Sequence, residues 1–133
     1  MNENLAKCNR TYTRFTTSAM SKILPDIPDA PSGWNTENHY FYEIVNRTGK
    51  SFYIQLALSS RNATDDFLAV CEKINEFYPA KFGKEEWQWR IPFKTTTMEI
   101  GEDLSKEEIF EKLDLCLQEI LEFESNLQKK LNG

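Results

Sequence analysis

Apolar residues recur along the chain with two different periods, and the switches between them mark out the elements. Phe52, Ile54, Leu56 and Leu58 alternate with Tyr53, Gln55 and Ala57, the period of a strand with one buried face. His39–Val45 precedes it, across Asn46-Arg47-Thr48-Gly49, whose glycine suits a turn position with positive φ. Together these segments predict a β-hairpin over 39–58. Phe67, Val70, Cys71, Ile74 and Phe77 fall instead at helical spacing, after Asn62 or Thr64 as N-cap and before Pro79. Ser105 and Glu108 form a capping box that opens a last helix of about 25 residues. Its apolar stripe runs through Ile109, Leu113, Leu117, Ile120, Leu127 and Leu131, widened by Phe110, Cys116 and Leu121.

Shorter signals fill the gaps. Tyr12–Phe15 reads as a short strand, and Thr17 as the cap of a short helix reaching about Leu24. Residues 25–33 hold three prolines and a glycine and are a loop or linker, with Trp34 arguing that it is pinned to the body. The stretch 86–94, EWQWRIPFK, places Trp87, Trp89, Ile91 and Phe93 at every second position. This predicts a strand near 86–95 with those four residues inward and Arg90 and Lys94 towards water. Pro92 puts it at an edge or beside a bend, and 95–100 continues it or begins a further short strand. The whole order predicts an α+β domain over 12–133 behind a loose arm at 1–11. Its antiparallel sheet would have three to four strands, with helices on one face and a long C-terminal helix.

Composition narrows what such a domain does. The chain has 133 residues, 40% hydrophobic and 28% charged, which is ordinary globular material with room for a core. No apolar run reaches the ~18–20 residues of a membrane span, and the N-terminus lacks a secretory core, so a cytoplasmic protein is expected. The sequons at Asn9, Asn46 and Asn62 are then incidental. Cys8, Cys71 and Cys116 form no CxxC pair, and the latter two fit helical apolar patterns as buried small hydrophobes. With a single histidine, His39, read as a surface or sheet-edge residue, no structural metal site and no cofactor are expected. The net charge of −5 is unevenly divided: residues 99–133 carry −6, and residues 1–98 are near balance at +1. The body is therefore not strongly basic, as a typical DNA-binding domain would be.

With the segments placed, the chain resembles the C-terminal region of uncharacterised bacterial proteins of the PD-(D/E)xK nuclease superfamily. The motifs are RF-TTSAM-SKILP from Arg14, Ser32-Gly33-Trp34, the hairpin YFYEIVNRTGKSFYIQLAL, the tryptophan-bearing strand and the acidic last helix. The likeness spans roughly residues 12–131. It departs at Ser59–Ala63, where the family often has a Gly/Pro turn. The nuclease motif itself is missing: Asp26 and Asp29 follow prolines, but no Asp or Glu has a lysine two positions later. Nor is there a GxSxG, Walker A or GxGxxG pattern. The acidic residues of the last helix (among them Glu107, Glu111, Glu119 and Glu124) read as its solvated face.

The expectation is a non-catalytic binding module, not an enzyme. What the resemblance implies is nucleic-acid-related work, including a role in defence. For EWQWRIPFK, inward burial is favoured over an outward base-stacking face, because Ile91 gains nothing from a base. The opposite face, with Arg90 and Lys94, could join Lys81, Lys84, Arg47 and Lys50 in a modest basic patch for nucleic acid, against the alternative of scattered surface cations. The other reading is a protein-interaction or self-association module. There the last helix outruns the sheet and leaves Leu127 and Leu131 for a protein partner or a second copy.

Overall fold

The computed structural model describes residues 12–24, 39–47, 50–79, 89–101 and 104–132. The expected arm at 1–11, the proline loop, Ser32-Gly33-Trp34, Thr48-Gly49, Lys81, Lys84 and Trp87 lie outside those residues. Eight elements follow in order: β1 (Tyr12–Phe15), α1 (Ser18–Ile23), β2 (Tyr40–Arg47), β3 (Ser51–Ser59), α2 (Asp65–Phe77), β4 (Trp89–Lys94), β5 (Met98–Glu99) and α3 (Lys106–Asn132). The fold is α+β, as the patterning predicts.

The hairpin β2–β3 is the centre of an antiparallel sheet ordered β1-β2-β3-β4, and β5 pairs the far end of β3 beside β4. Register sets the faces. Tyr40, Tyr42 and Ile44 stand opposite Leu58, Leu56 and Ile54, and all six point to the side that the helices cover. Each fully buried side chain of this set contributes roughly 1.5–3 kcal/mol. Phe15 of β1 joins them opposite Tyr42, its ring stacked on the tyrosine at 5.4 Å between centroids.

Caps delimit the helices as their sequences suggest. Thr17 Oγ1 accepts from the Met20 amide at α1, and Thr64 Oγ1 from Phe67 at α2, so Thr64 and not Asn62 is the cap. Asn62 instead takes a positive φ of 57°, a conformation that asparagine tolerates better than most residues. At α3 the Ser105 hydroxyl accepts from the Glu108 amide at 3.2 Å and donates to the Glu108 carboxylate. The helix then runs for 27 residues.

α3 packs against both α1 and α2. Cys116, Ile120, Phe123 and Leu127 are its buried line. Phe123 stacks flat on Phe93 of β4 at 4.2 Å and meets the edge of Tyr78, so one ring joins strand, helix and the end of α2. The stripe does not outrun the sheet: Leu127 is fully buried and Leu131 packs on the core. Leu127 is therefore not left for a partner, and Leu131 is half-buried against the core. The apolar residues α3 does expose are Phe110, Leu115 and Leu121.

Candidate nucleic-acid interface

β4 does not keep the alternation its sequence suggests. Phe93 pairs with Leu56 and Arg90 with Leu58, so three steps along β4 match two along β3. One extra residue is taken up at Ile91-Pro92, where the proline cannot donate to the ladder, and the bulge reverses the faces on either side. Phe93 stays on the core side, but Arg90 joins it there and is buried, while Trp89 is turned to the outer side and is 50% exposed. The expectation of an inward Trp89 and a solvated Arg90 is therefore corrected. Strict alternation fails because one residue is inserted. Arg90 binds Glu72 of α2, Nη1 to Oε1 at 2.8 Å, and is not available to a ligand on the outer face.

The outer face of the sheet, away from the helices, is buried at its middle, at Phe41, Glu43, Gln55, Ala57 and Ser59, and carries one polar row across four strands. Arg14, Glu43, Gln55 and Lys94 are successive partners from β1 to β4. Arg14 Nε donates to Glu43 Oε2 at 3.3 Å, and Gln55 Nε2 to Glu43 Oε1 at 2.9 Å. The buried carboxylate thus has a donor on each oxygen, and its charge is answered within the protein.

Around this row three cations sit over rings. The Arg14 guanidinium lies 4.4 Å from the Phe41 centroid. The Arg47 guanidinium and the Lys94 ammonium both lie over Tyr53, at 5.5 and 5.4 Å. Arg47 and Lys94 are exposed, Tyr53 is half-exposed, and Trp89 is on the same face as Lys94. Of the six expected nucleic-acid residues, Arg47 and Lys94 are therefore brought to one ring. Lys50 is exposed at the adjacent hairpin end, where its carbonyl accepts from the Ile100 amide. Glu99 of β5, in register with Ser51, bounds the patch on that side with a negative charge.

Arg14, Phe41, Tyr53 and Trp89 are the parts of this face that the sequence reading did not assign. The signal for Tyr53 was its place opposite the apolar positions of β3. For Trp89 it was Pro92, which marks the bulge.

Two other polar sites hold the fold together. The His39 ring, expected at the surface, is buried: its Nε2–H donates to the Arg61 carbonyl at 2.7 Å and its edge meets Phe67. It is enclosed because the chain after β3 turns back over it. Glu124, expected on the solvated face of α3, is 3% exposed. Its Oε2 accepts from Thr17 Oγ1 at 2.5 Å and from Tyr42 OH at 2.8 Å. α1 lies against this turn of α3, which is why one glutamate among many leaves the water. Burial, then the Glu124 charge, pushes the Tyr42 phenol well above its usual range, so it stays a donor. Next to it Tyr40 OH donates to the Thr17 carbonyl and pairs with Ser21 Oγ.

Among the described residues no group of three or more His, Cys, Asp or Glu is arranged to hold a metal ion, and no helix is long and apolar enough to cross a membrane. No protein-family model, curated protein or solved structure matches this chain.

Proposed function

We propose that this chain is a non-catalytic module that binds single-stranded nucleic acid on the outer face of its sheet. Bases would stack on Trp89 and Tyr53, and phosphates would be held by Arg47 and Lys94. The single observation that carries this reading is the convergence of Arg47 and Lys94 on the Tyr53 ring, on the face where the β4 bulge presents Trp89. Aromatic faces accept any base, and flanking cations supply the backbone attraction, which together suit single strands rather than a duplex. The likeness to nuclease-associated proteins points the same way, towards a bacterial system acting on nucleic acid, with defence as one such setting.

The test is a tryptophan-fluorescence titration with oligothymidylate, a single-stranded RNA and a duplex, at low and then near-physiological salt. Two phosphate contacts predict a log–log salt slope of about −1.4 for a single strand. Quenching by the single strands with that slope supports the reading. A flat signal at low salt refutes it.

A further inference from the structure

A groove of about 420 Å³ opens between the start of α1 and the middle of α3, walled by Phe15, Ala19, Leu117, Ile120 and Leu121. Among the described residues, its one ionisable lining residue is Glu124. The size is that of a small-molecule site, and the lining combines apolar walls with the hydroxyls of Thr16, Thr17 and Ser18 and the Glu124 carboxylate.

The carboxylate is not electrically balanced. Glu124 is 3% exposed, and the donors to it among the described residues are two neutral hydroxyls, Thr17 and Tyr42, both on Oε2. Among the described residues no cationic side chain pairs with it. A carboxylate this far from water normally has a cation or is costly to hold. Thr17 and Tyr42 fix its position, since the threonine is itself tied to the Met20 amide and the tyrosine is fully buried. Leu121 and Leu117 extend the apolar wall from the carboxylate towards solvent, and Leu121 is 65% exposed.

We propose that this groove binds a small organic ammonium ion with an apolar body, the charged head on Glu124 and the hydrocarbon along Leu117, Leu121 and Ala19. Such a ligand matches the groove on both counts. It supplies the missing positive charge and covers apolar wall that water now faces. A neutral ligand would do only the second, and an anionic one would be repelled. The site lies on the helix-covered side of the sheet and does not depend on nucleic-acid binding by the outer face.

The experiment is a two-dimensional amide NMR titration of the full chain with hexylammonium chloride, hexanol and sodium hexanoate. Shifts should cluster at residues 15–21 and 117–124. Hexylammonium should bind at least about tenfold more tightly than hexanol, the usual scale of one charge-assisted hydrogen bond, and hexanoate should not bind there. Glu124→Gln should abolish the preference for the ammonium over the alcohol. Leu121→Lys, at an exposed position three residues from Glu124 on the same helix face, should block the site with its own ammonium while the spectrum stays folded. Should Glu124→Gln fail to fold, the Leu121→Lys comparison decides. Equal binding of hexanol and hexylammonium, undiminished ammonium binding by Leu121→Lys, or no shift with about 10 mM hexylammonium overturns the proposal.

Discussion

Arg90 of β4 and Glu72 of α2 are joined at 2.8 Å across the helix–sheet interface, with the guanidinium buried and the carboxylate side chain 58% exposed. The pair exists because the bulge at Ile91-Pro92 carries Arg90 to the core side, and the arginine spans the layer to reach the carboxylate at the rim. It is an asymmetric pair. The Glu72 charge loses little hydration, whereas the Arg90 guanidinium is out of water.

That asymmetry gives different costs for the two partners. Glu72→Ala should destabilise by about 1–2 kcal/mol, since it takes one acceptor from a buried guanidinium. Arg90→Met, which keeps the packed stem and removes the charge, should cost under about 1 kcal/mol. Urea unfolding of both variants, with the double variant to close the cycle, measures this ordering. A larger loss for Arg90→Met would mean that the guanidinium has stronger partners than Glu72.

The bend after β4 depends on one hydroxyl. The Thr95 amide donates to the Ile54 carbonyl at 2.8 Å, and Thr95 Oγ1 accepts the Ile54 amide at 2.9 Å, standing in for a ladder carbonyl. The next residue is clamped to α3, where the Thr96 amide and hydroxyl both donate to Glu119 Oε1 at 3.0 Å. Thr95→Val keeps the shape and orphans the Ile54 amide in the core. The expected loss is about 1–3 kcal/mol, with faster hydrogen exchange at Ile54 as the specific readout. Unchanged exchange there would count against the role given to the hydroxyl.

These particulars show where the sequence was informative. The hairpin and α2 were legible because an apolar core face imposes a period of 2 or 3.6 on the apolar residues. Phe52, Ile54, Phe67 and Cys71 obey it, although Gln55, Ala57 and Ser59 on the other face of β3 are buried as well. The Thr17, Thr64 and Ser105 caps were legible because capping is local chemistry. The orientation of Trp89 and Arg90 was not, since a one-residue insertion reverses every face beyond it and leaves the letters unchanged. Only Pro92 hinted at the irregularity. Glu124 was hidden for another reason: on its own helix it looks like its acidic neighbours, and what buries it is α1, about a hundred residues earlier in the chain. Of the six basic positions expected in a patch, Arg47 and Lys94 meet at Tyr53, a cross-strand relation that follows from register and that no run of sequence displays.

Two leucines six residues apart on α3 should respond very differently to truncation. Leu127 is fully buried and Leu121 is 65% exposed. Leu127→Ala should cost about 2–5 kcal/mol through lost burial and a residual cavity, and Leu121→Ala less than about 0.5 kcal/mol. Thermal and urea denaturation decide it. Similar costs at the two sites would mean that the end of α3 is not held as described.

The two buried thiols set an alkaline limit. Burial pushes Cys71 up to about 12, with Arg90 lowering and Glu72 raising it to lesser degrees, and burial also raises Cys116. A thiol whose folded pKa is raised favours the folded state while neutral. Its contribution is complete below the ordinary thiol value of about 9 and is lost as pH climbs through the folded value. Stability should therefore fall between about pH 9 and 12, with the raised Tyr40 and Tyr42 phenols adding to the same decline. Cys71→Val should flatten part of that slope. In a Cys8→Ser background, both thiols should resist an aromatic disulfide reagent at pH 8 until denaturant is added. Rapid labelling of the folded protein would contradict their burial.

Nucleic-acid binding on the outer sheet face would separate three cations by position rather than by charge. Arg47→Glu and Lys94→Glu remove the two cations over Tyr53 and place anions where phosphates would lie, so each should weaken single-strand binding by about tenfold or more at low salt and reduce the salt slope. Trp89→Ala removes a stacking surface, and about 1–3 kcal/mol of binding should go with it. Arg90→Met removes a cation of the same strand, next to the bulge but on the other face, and should leave binding intact. A basic-residue effect that depended only on net charge would make Arg90→Met weaken binding as well. Sensitivity at Arg47, Lys94 and Trp89 with tolerance at Arg90 is therefore the signature of the outer face, and equal sensitivity at all four would place the contact elsewhere.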